Sequence, residues 1–186
     1  MASEVDICNL ALIKLGAKRI VSLDDLQVPN AAACKAVYTM QRDSELRRHP
    51  WSFAIKRAQL PALSTSPLFG PDNAFELPSD YLRLVVPKEA QDWQIEGRTV
   101  TTDEGAPLEI RYIARITDTS LHDSLFNEVL ACAMAVVLCE PITQSNSKVA
   151  AKKEEYKDAI YEAKKANAFE RVSEEMPEDP WLTARY

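Results

Sequence analysis

Apolar residues recur at helical spacing from the start of the chain. Val5, Cys8, Leu12 and Leu15 form one stripe, which Ile7, Leu10 and Ala11 widen. Ser3, with Asp6 three residues later, makes a capping-box start. Gly16 follows as a C-terminal stop. Residues 17–29 read as a connector containing Asp24, Asp25 and Pro29. A second helix is predicted from about Asn30 to Arg48, with Ala33, Cys34, Val37, Tyr38 and Met40 turned inward. Pro50 ends it, because proline disfavours helical geometry in the residue before it.

From Trp51 the period changes to alternation. Trp51, Phe53 and Ile55 share one predicted strand face, with Ser52, Ala54 and Lys56 opposite. Further strands are predicted over Phe75–Leu77 and Tyr81–Val86, separated by Pro78. Gln91–Glu96 and Arg98–Thr102 flank Gly97 as a hairpin. The cleanest alternation follows Pro107: Leu108, Ile110, Tyr112, Ala114 and Ile116 on one face, Glu109, Arg111 and Arg115 on the other.

Helical spacing then returns. Asp118–Gln144 opens with cap candidates and becomes almost wholly apolar between Val129 and Cys139, so it is predicted to be a central core helix that Pro141 kinks or ends. Ser147 can cap a last helix reaching about Arg171, with Val149, Ala159, Ile160 and Ala163 inward and a mixed-charge outer face. Residues 173–186 differ from all of this. They carry two prolines and four acids, and cannot bury a core of their own. Trp181, Leu182 and Tyr186 are anchors there, either for docking onto a partner or for folding back onto the chain itself.

Composition narrows the function. A chain of 186 residues, 46% hydrophobic, suits one domain or one core with an appended subdomain. Its net charge of −6 argues against a general nucleic-acid binder, which presents a basic face to phosphates. The four cysteines, Cys8, Cys34, Cys132 and Cys139, lack CxxC spacing and fall within helical patterns, as small buried residues in a reducing compartment do. No signal segment is visible, and the apolar run Val129–Cys139 is short for a membrane span, so no membrane association is expected.

Candidate chemistry is sparse. Of two histidines, His49 sits at a helix end, where a ring can bond a terminal carbonyl, and His122 is expected at the surface beside Asp118 and Asp123. With four glycines and no phosphate-loop, zincin or nucleophile-elbow motif, neither a catalytic residue, a metal ligand nor a cofactor is assigned. A carboxylate pair for glycan hydrolysis requires no histidine. Asp24 with Asp25, Glu76 with Asp80, and Glu96 with Asp103 are the candidates. Arg42, Arg47 and Arg48 close the second helix, where basic residues suit the helix dipole; they read as salt-bridge or subunit and partner contacts.

The opening Ile7-Cys8-Asn9-Leu10-Ala11-Leu12, then Leu15-Gly16, resembles the start of phage tail tubular protein A, the head-to-tail adaptor of short-tailed phages. Ala33-Cys34, Tyr38, Arg42-Asp43, Leu46-Arg47, Arg57 and Leu60 continue the resemblance. Its most distinctive part is His49-Pro50-Trp51-Ser52-Phe53-Ala54. Leu77-Pro78-Ser79-Asp80-Tyr81-Leu82-Arg83 looks like the family's Leu-Pro-x-Asp-x-Arg-type strand start, Gln94-Ile95-Glu96-Gly97 with Thr101 its hairpin, and Tyr112-Ile113 its last strand. The match spans roughly residues 7 to 116 and leaves out the acidic tail.

The resemblance implies an α+β fold. Residues 1–50 and 117–172 would form a four-helix bundle, 51–116 an inserted antiparallel β-sandwich-like domain, and 173–186 an extended docking tail. It also implies a non-catalytic structural protein of the virion tail, made in the host bacterial cytoplasm. Such chains form a homo-oligomeric ring of twelve between the portal and a tail nozzle protein similar to tail tubular protein B. Viral DNA would pass through the lumen without specific binding. The alternative is a tail-associated hydrolase of peptidoglycan or polysaccharide, using one of the carboxylate pairs.

Overall fold

The computed structural model describes residues 2–65, 67–85 and 93–170. The tail anchors Trp181, Leu182 and Tyr186 lie outside these residues. The described chain is α+β, with four long helices and two small antiparallel sheets.

Helix α1 (Glu4–Leu15) forms where its local signals agree. Ser3 Oγ accepts from the Asp6 amide while the Asp6 carboxylate accepts from the Ser3 amide, and Gly16 closes the helix at φ 71°. Ile7, Cys8, Ala11, Leu12 and Leu15 are buried. Helix α2 (Pro29–Arg48) begins one residue earlier than the pattern suggested, because Pro29 belongs to its first turn, where a missing N–H costs nothing. Its inner face is Ala31, Cys34, Tyr38, Arg42, Glu45 and Leu46. Met40, expected inward, points to solvent.

Trp51 does not start a strand. Ser52–Ala54 form a single 3₁₀ turn, and strand β1 begins only at Ile55. Burial follows the three-residue spacing of the turn, with Trp51 and Ala54 both buried, and not the alternation of the sequence. Strands β1 (Ile55–Leu60), β3 (Tyr81–Leu84) and β6 (Leu108–Ala114) form one sheet with β6 in the centre. Strands β2 (Asn73–Glu76), β5 (Thr99–Thr102) and β4 (Gln94–Glu96) form the other. Gly97 turns the β4–β5 hairpin at φ 62°, a left-handed conformation that glycine adopts without penalty. On β6 the predicted face is buried, and Ile113 on the opposite face is buried as well. On that face α2, packed against the sheet, covers only the end of the strand, since Arg111 is half-buried and Glu109 exposed.

Helix α3 (Ser124–Thr143), capped by the Asp123 carboxylate, packs against α1, α2 and α4 (Asn146–Phe169). Pro141 lies inside its last turn. By length and composition α3 could cross a membrane, but its middle from Val129 to Ala135 is buried among the other helices. Val137, by contrast, is 41% exposed, so burial is not complete all round. Helix α4 starts after Ser145 and buries only Ala163 and Asn167; Val149, Ala159 and Ile160 are half-covered. All four cysteines are buried and free.

Candidate functional site

The His49–Ala54 stretch is where helices meet strands. Trp51 is 1% exposed, and its indole N–H donates to the Glu45 carbonyl at 2.9 Å. Its ring meets His49 edge-on at 4.8 Å and Phe126 of α3 at 5.3 Å. Phe53 packs on Phe126 at 5.1 Å and on His122 at 5.7 Å. Such edge-to-face pairs stabilise beyond the area they bury.

Asn167, near the end of α4, clasps the same stretch. Its Oδ1 accepts from the Ser52 amide and the Ser52 hydroxyl, both at 2.8 Å, and its amide group lies 3.0 Å from His49 Nε2. The His49 ring thus has a partner on another helix. His122, expected at the surface, is 8% exposed. Its ring nitrogens lie 3.1 Å from Asn127 Oδ1 and 3.4 Å from the Ile116 carbonyl. Burial lowers its pKa below the ordinary histidine value, against the opposing pull of those two bonds.

The three arginines separate. Arg42 is buried, with its guanidinium 2.9 Å from Asp43 and its charge over the Tyr38 ring at 6.0 Å. A surface contact for Arg42 is corrected: its side chain is 6% exposed and tied within the chain. Asp43 in turn accepts from Arg115 at 2.7 Å. Arg48 reaches Glu45 at 3.2 Å and lies over Tyr156 at 5.7 Å. Arg47 donates to the Leu82 carbonyl. Arg47, Arg48, Ser44 and, from β3, Arg83 line an open hollow of about 380 Å³. Among the described residues no carboxylate pairs with Arg47 or Arg83.

Two acid–base nodes, one buried and one half-exposed, escaped sequence reasoning. Glu45 is 1% exposed and accepts from the Tyr156 hydroxyl at 2.8 Å. Burial pushes its pKa up, while Tyr156 and Arg48 pull it down. Lys14 lies 2.6 Å from both Glu128 and Glu155. Glu128, Cys132 and Glu155 cluster closely enough to suggest metal ligands. The Lys14 ammonium already stands between the carboxylates, in the place a cation would take.

The candidate carboxylate pairs lack the asymmetry that glycan hydrolysis requires. Asp24 is exposed and held below the ordinary carboxylate range by Lys35, 2.7 Å away; Asp25 is exposed beside it. Burial works to raise Asp80, but Lys56 at 2.8 Å and the Tyr112 hydroxyl at 3.0 Å outweigh it and lower the pKa. Glu76, Glu96 and Asp103 are exposed.

No protein-family model matches the chain, and no curated protein is similar to it. The likeness to tail tubular protein A therefore rests on the quoted residues themselves.

Two exposed apolar sets remain. In the β1–β2 connection Leu68 is 99% and Phe69 89% exposed. On the helical side, Ile13, Val21 and Leu26 are exposed along α1 and the connector after it. A groove of about 350 Å³ runs beside them, lined by Ile7, Leu10, Ile13, Arg19 and Asn127 among others.

Proposed function

We propose that the chain is a structural adaptor of a short-tailed phage, one subunit of a ring of twelve joining portal to tail nozzle. The observation carrying this reading is the use made of His49–Ala54, the most distinctive part of the resemblance. Its rings and amides are turned inward as a joint between α2, α3, α4 and β1. A motif committed to architecture supports a protein whose task is architecture. In this reading residues 1–50 and 117–172 act as a four-helix bundle and 51–116 as an inserted sandwich-like domain.

An adaptor requires two docking surfaces. The helical part with residues 173–186 would meet the portal, and the Leu68–Phe69 loop would meet the nozzle protein. Two adjacent, almost fully exposed apolar side chains on a loop are costly to leave in water and are what a partner's pocket covers. The net charge of −6 suits a channel wall, since cationic side chains would hold the DNA that must slide past.

The reading is tested by mixing the purified chain with the portal protein of a short-tailed phage and imaging the product by electron microscopy. Rings seated on the portal are expected, and a chain that never associates refutes the proposal. Leu68→Ser with Phe69→Ser should abolish addition of the nozzle protein while portal binding and the melting temperature stay unchanged.

A further inference from the structure

The hollow at the end of α2 is a concentration of positive charge on an acidic protein. Arg47 and Arg48 supply it from the last turn of α2, and Arg83 from β3, which the Arg47–Leu82 contact, spanning 35 residues of chain, brings alongside. Among the described residues Arg47 and Arg83 have carbonyl partners only, Leu82 for the first and the Arg47 carbonyl at 3.3 Å for the second. A guanidinium has five N–H donors, so these single bonds leave most of its capacity for an anion. Converging arginines of this kind favour carboxylates, which they can grip through paired bonds.

A matching anion lies in the same chain. Glu174, Glu175, Glu178 and Asp179 fall within six residues and alternate with Met176 and Pro177, and no lysine or arginine interrupts them. Helix α4, which leads toward this segment in sequence, touches the residue that follows Arg48. Asn167 of α4 contacts the His49 ring at 3.0 Å, and His49 directly follows Arg47 and Arg48. From Phe169, where α4 ends, to Glu174 an extended chain spans at most about 17–18 Å.

From this we infer that the hollow formed by Arg47, Arg48 and Arg83 is the seat of residues 174–179 of the same chain. The acidic segment docks there in cis through carboxylate–guanidinium bonds. Docking neutralises the unpaired arginines and holds Trp181 and Tyr186 close to the body until a partner takes them. It concerns the isolated chain and stands or falls independently of the adaptor reading.

Met176 lies inside the segment and reports on it directly. The full chain is labelled with ¹³C-methyl methionine; Met176 is assigned with Met176→Leu, and fully buried Met134 serves as the rigid reference. At low salt the Met176 methyl should relax within about twofold of Met134, and in 0.5 M NaCl about threefold or more slower, because exposed charge pairs are screened. Arg47→Glu with Arg83→Glu should free it equally, and adding Glu174→Lys with Glu175→Lys should restore the slow-tumbling signal. Arg83→Glu alone, which spares the Arg47–Leu82 bond, should give a partial release, and an unchanged Met134 resonance reports an intact fold. A Met176 signal that is mobile in every sample overturns the inference. So does one that is rigid but indifferent to salt and charge reversal, or one whose rigidity depends on protein concentration, which would place the segment on a second copy.

Discussion

Truncating Asn167 should loosen the joint between helices and strands. The side chain is 7% exposed and makes three bonds of good length, two to Ser52 and one to His49, beside a longer one to the Pro50 carbonyl at 3.5 Å. At about 0.5–1.5 kcal/mol net for each bond, and with the Ser52 amide left without its acceptor, Asn167→Ala should cost about 3 kcal/mol. With a urea m-value of about 2 kcal/mol/M, the unfolding midpoint should fall by about 1–2 M. Ser52→Ala removes only the hydroxyl, so the double mutant should show a coupling of about 0.5–1.5 kcal/mol. Hydrogen exchange should locate the loss in the last turns of α4 and at residues 52–54, with the middle of α3 unaffected. An Asn167→Ala chain within about 0.5 kcal/mol of the parent, or a coupling of zero, would refute the clasp.

Further expectations follow from the buried polar groups. Lys14→Met should cost about 1–2 kcal/mol near neutrality, because Glu128 and Glu155 lose their shared cation. Hydrogen bonds from Lys14 and Lys152 lower the Glu155 pKa, so its contribution is present above about pH 4.5 and fades as pH falls through the lowered value. The Lys14 pKa is raised by its two carboxylates against the effect of burial, so its contribution is lost only as pH rises past the ordinary lysine range. Urea midpoints should therefore show the deficit shrinking at pH 3, and an undiminished deficit there contradicts the pairing. For His122 the lowered pKa means stability that is full above about pH 6.5 and lost as pH falls through the folded value. His122→Gln should flatten that slope in melting curves between pH 7 and 5, and an identical slope in both proteins would exclude His122 as its source. Tyr38→Phe should be neutral or stabilise by up to about 1 kcal/mol, since among the described residues the buried Tyr38 hydroxyl has no hydrogen-bond partner; a loss above that size would reveal one.

Helix α1 was legible because three independent signals coincide within sixteen residues: the capping box, the apolar stripe and Gly16. Strand β6 was legible for the same reason, alternation bounded by Pro107. Where charge was equated with exposure, the reading failed. Arg42 and Glu45 point inward because Asp43, Tyr156 and Arg48 satisfy them, and Tyr156 is 111 residues from Glu45. His122 was assigned outward from its acidic neighbours, yet Phe53 and Phe126 enclose it. Trp51–Ile55 alternates in sequence like a strand, but the 3₁₀ turn buries Trp51 and Ala54, three residues apart. The hollow could be half read: Arg47 and Arg48 were visible at a helix end, but only the approach of β3 adds Arg83.

The sheathing of α3 carries a consequence for how the chain is made. Its partners are split in time: α1 and α2 leave the ribosome well before it, and α4 only after it. Until residue 169 has emerged, a twenty-residue segment as apolar as a membrane span lacks one wall of its enclosure. The Lys14–Glu155 bond closes across 141 residues, a long-range contact of the kind that forms late. Nascent chains stalled between α3 and α4 should therefore be the species that chaperones hold, and the ones that aggregate when chaperones are scarce.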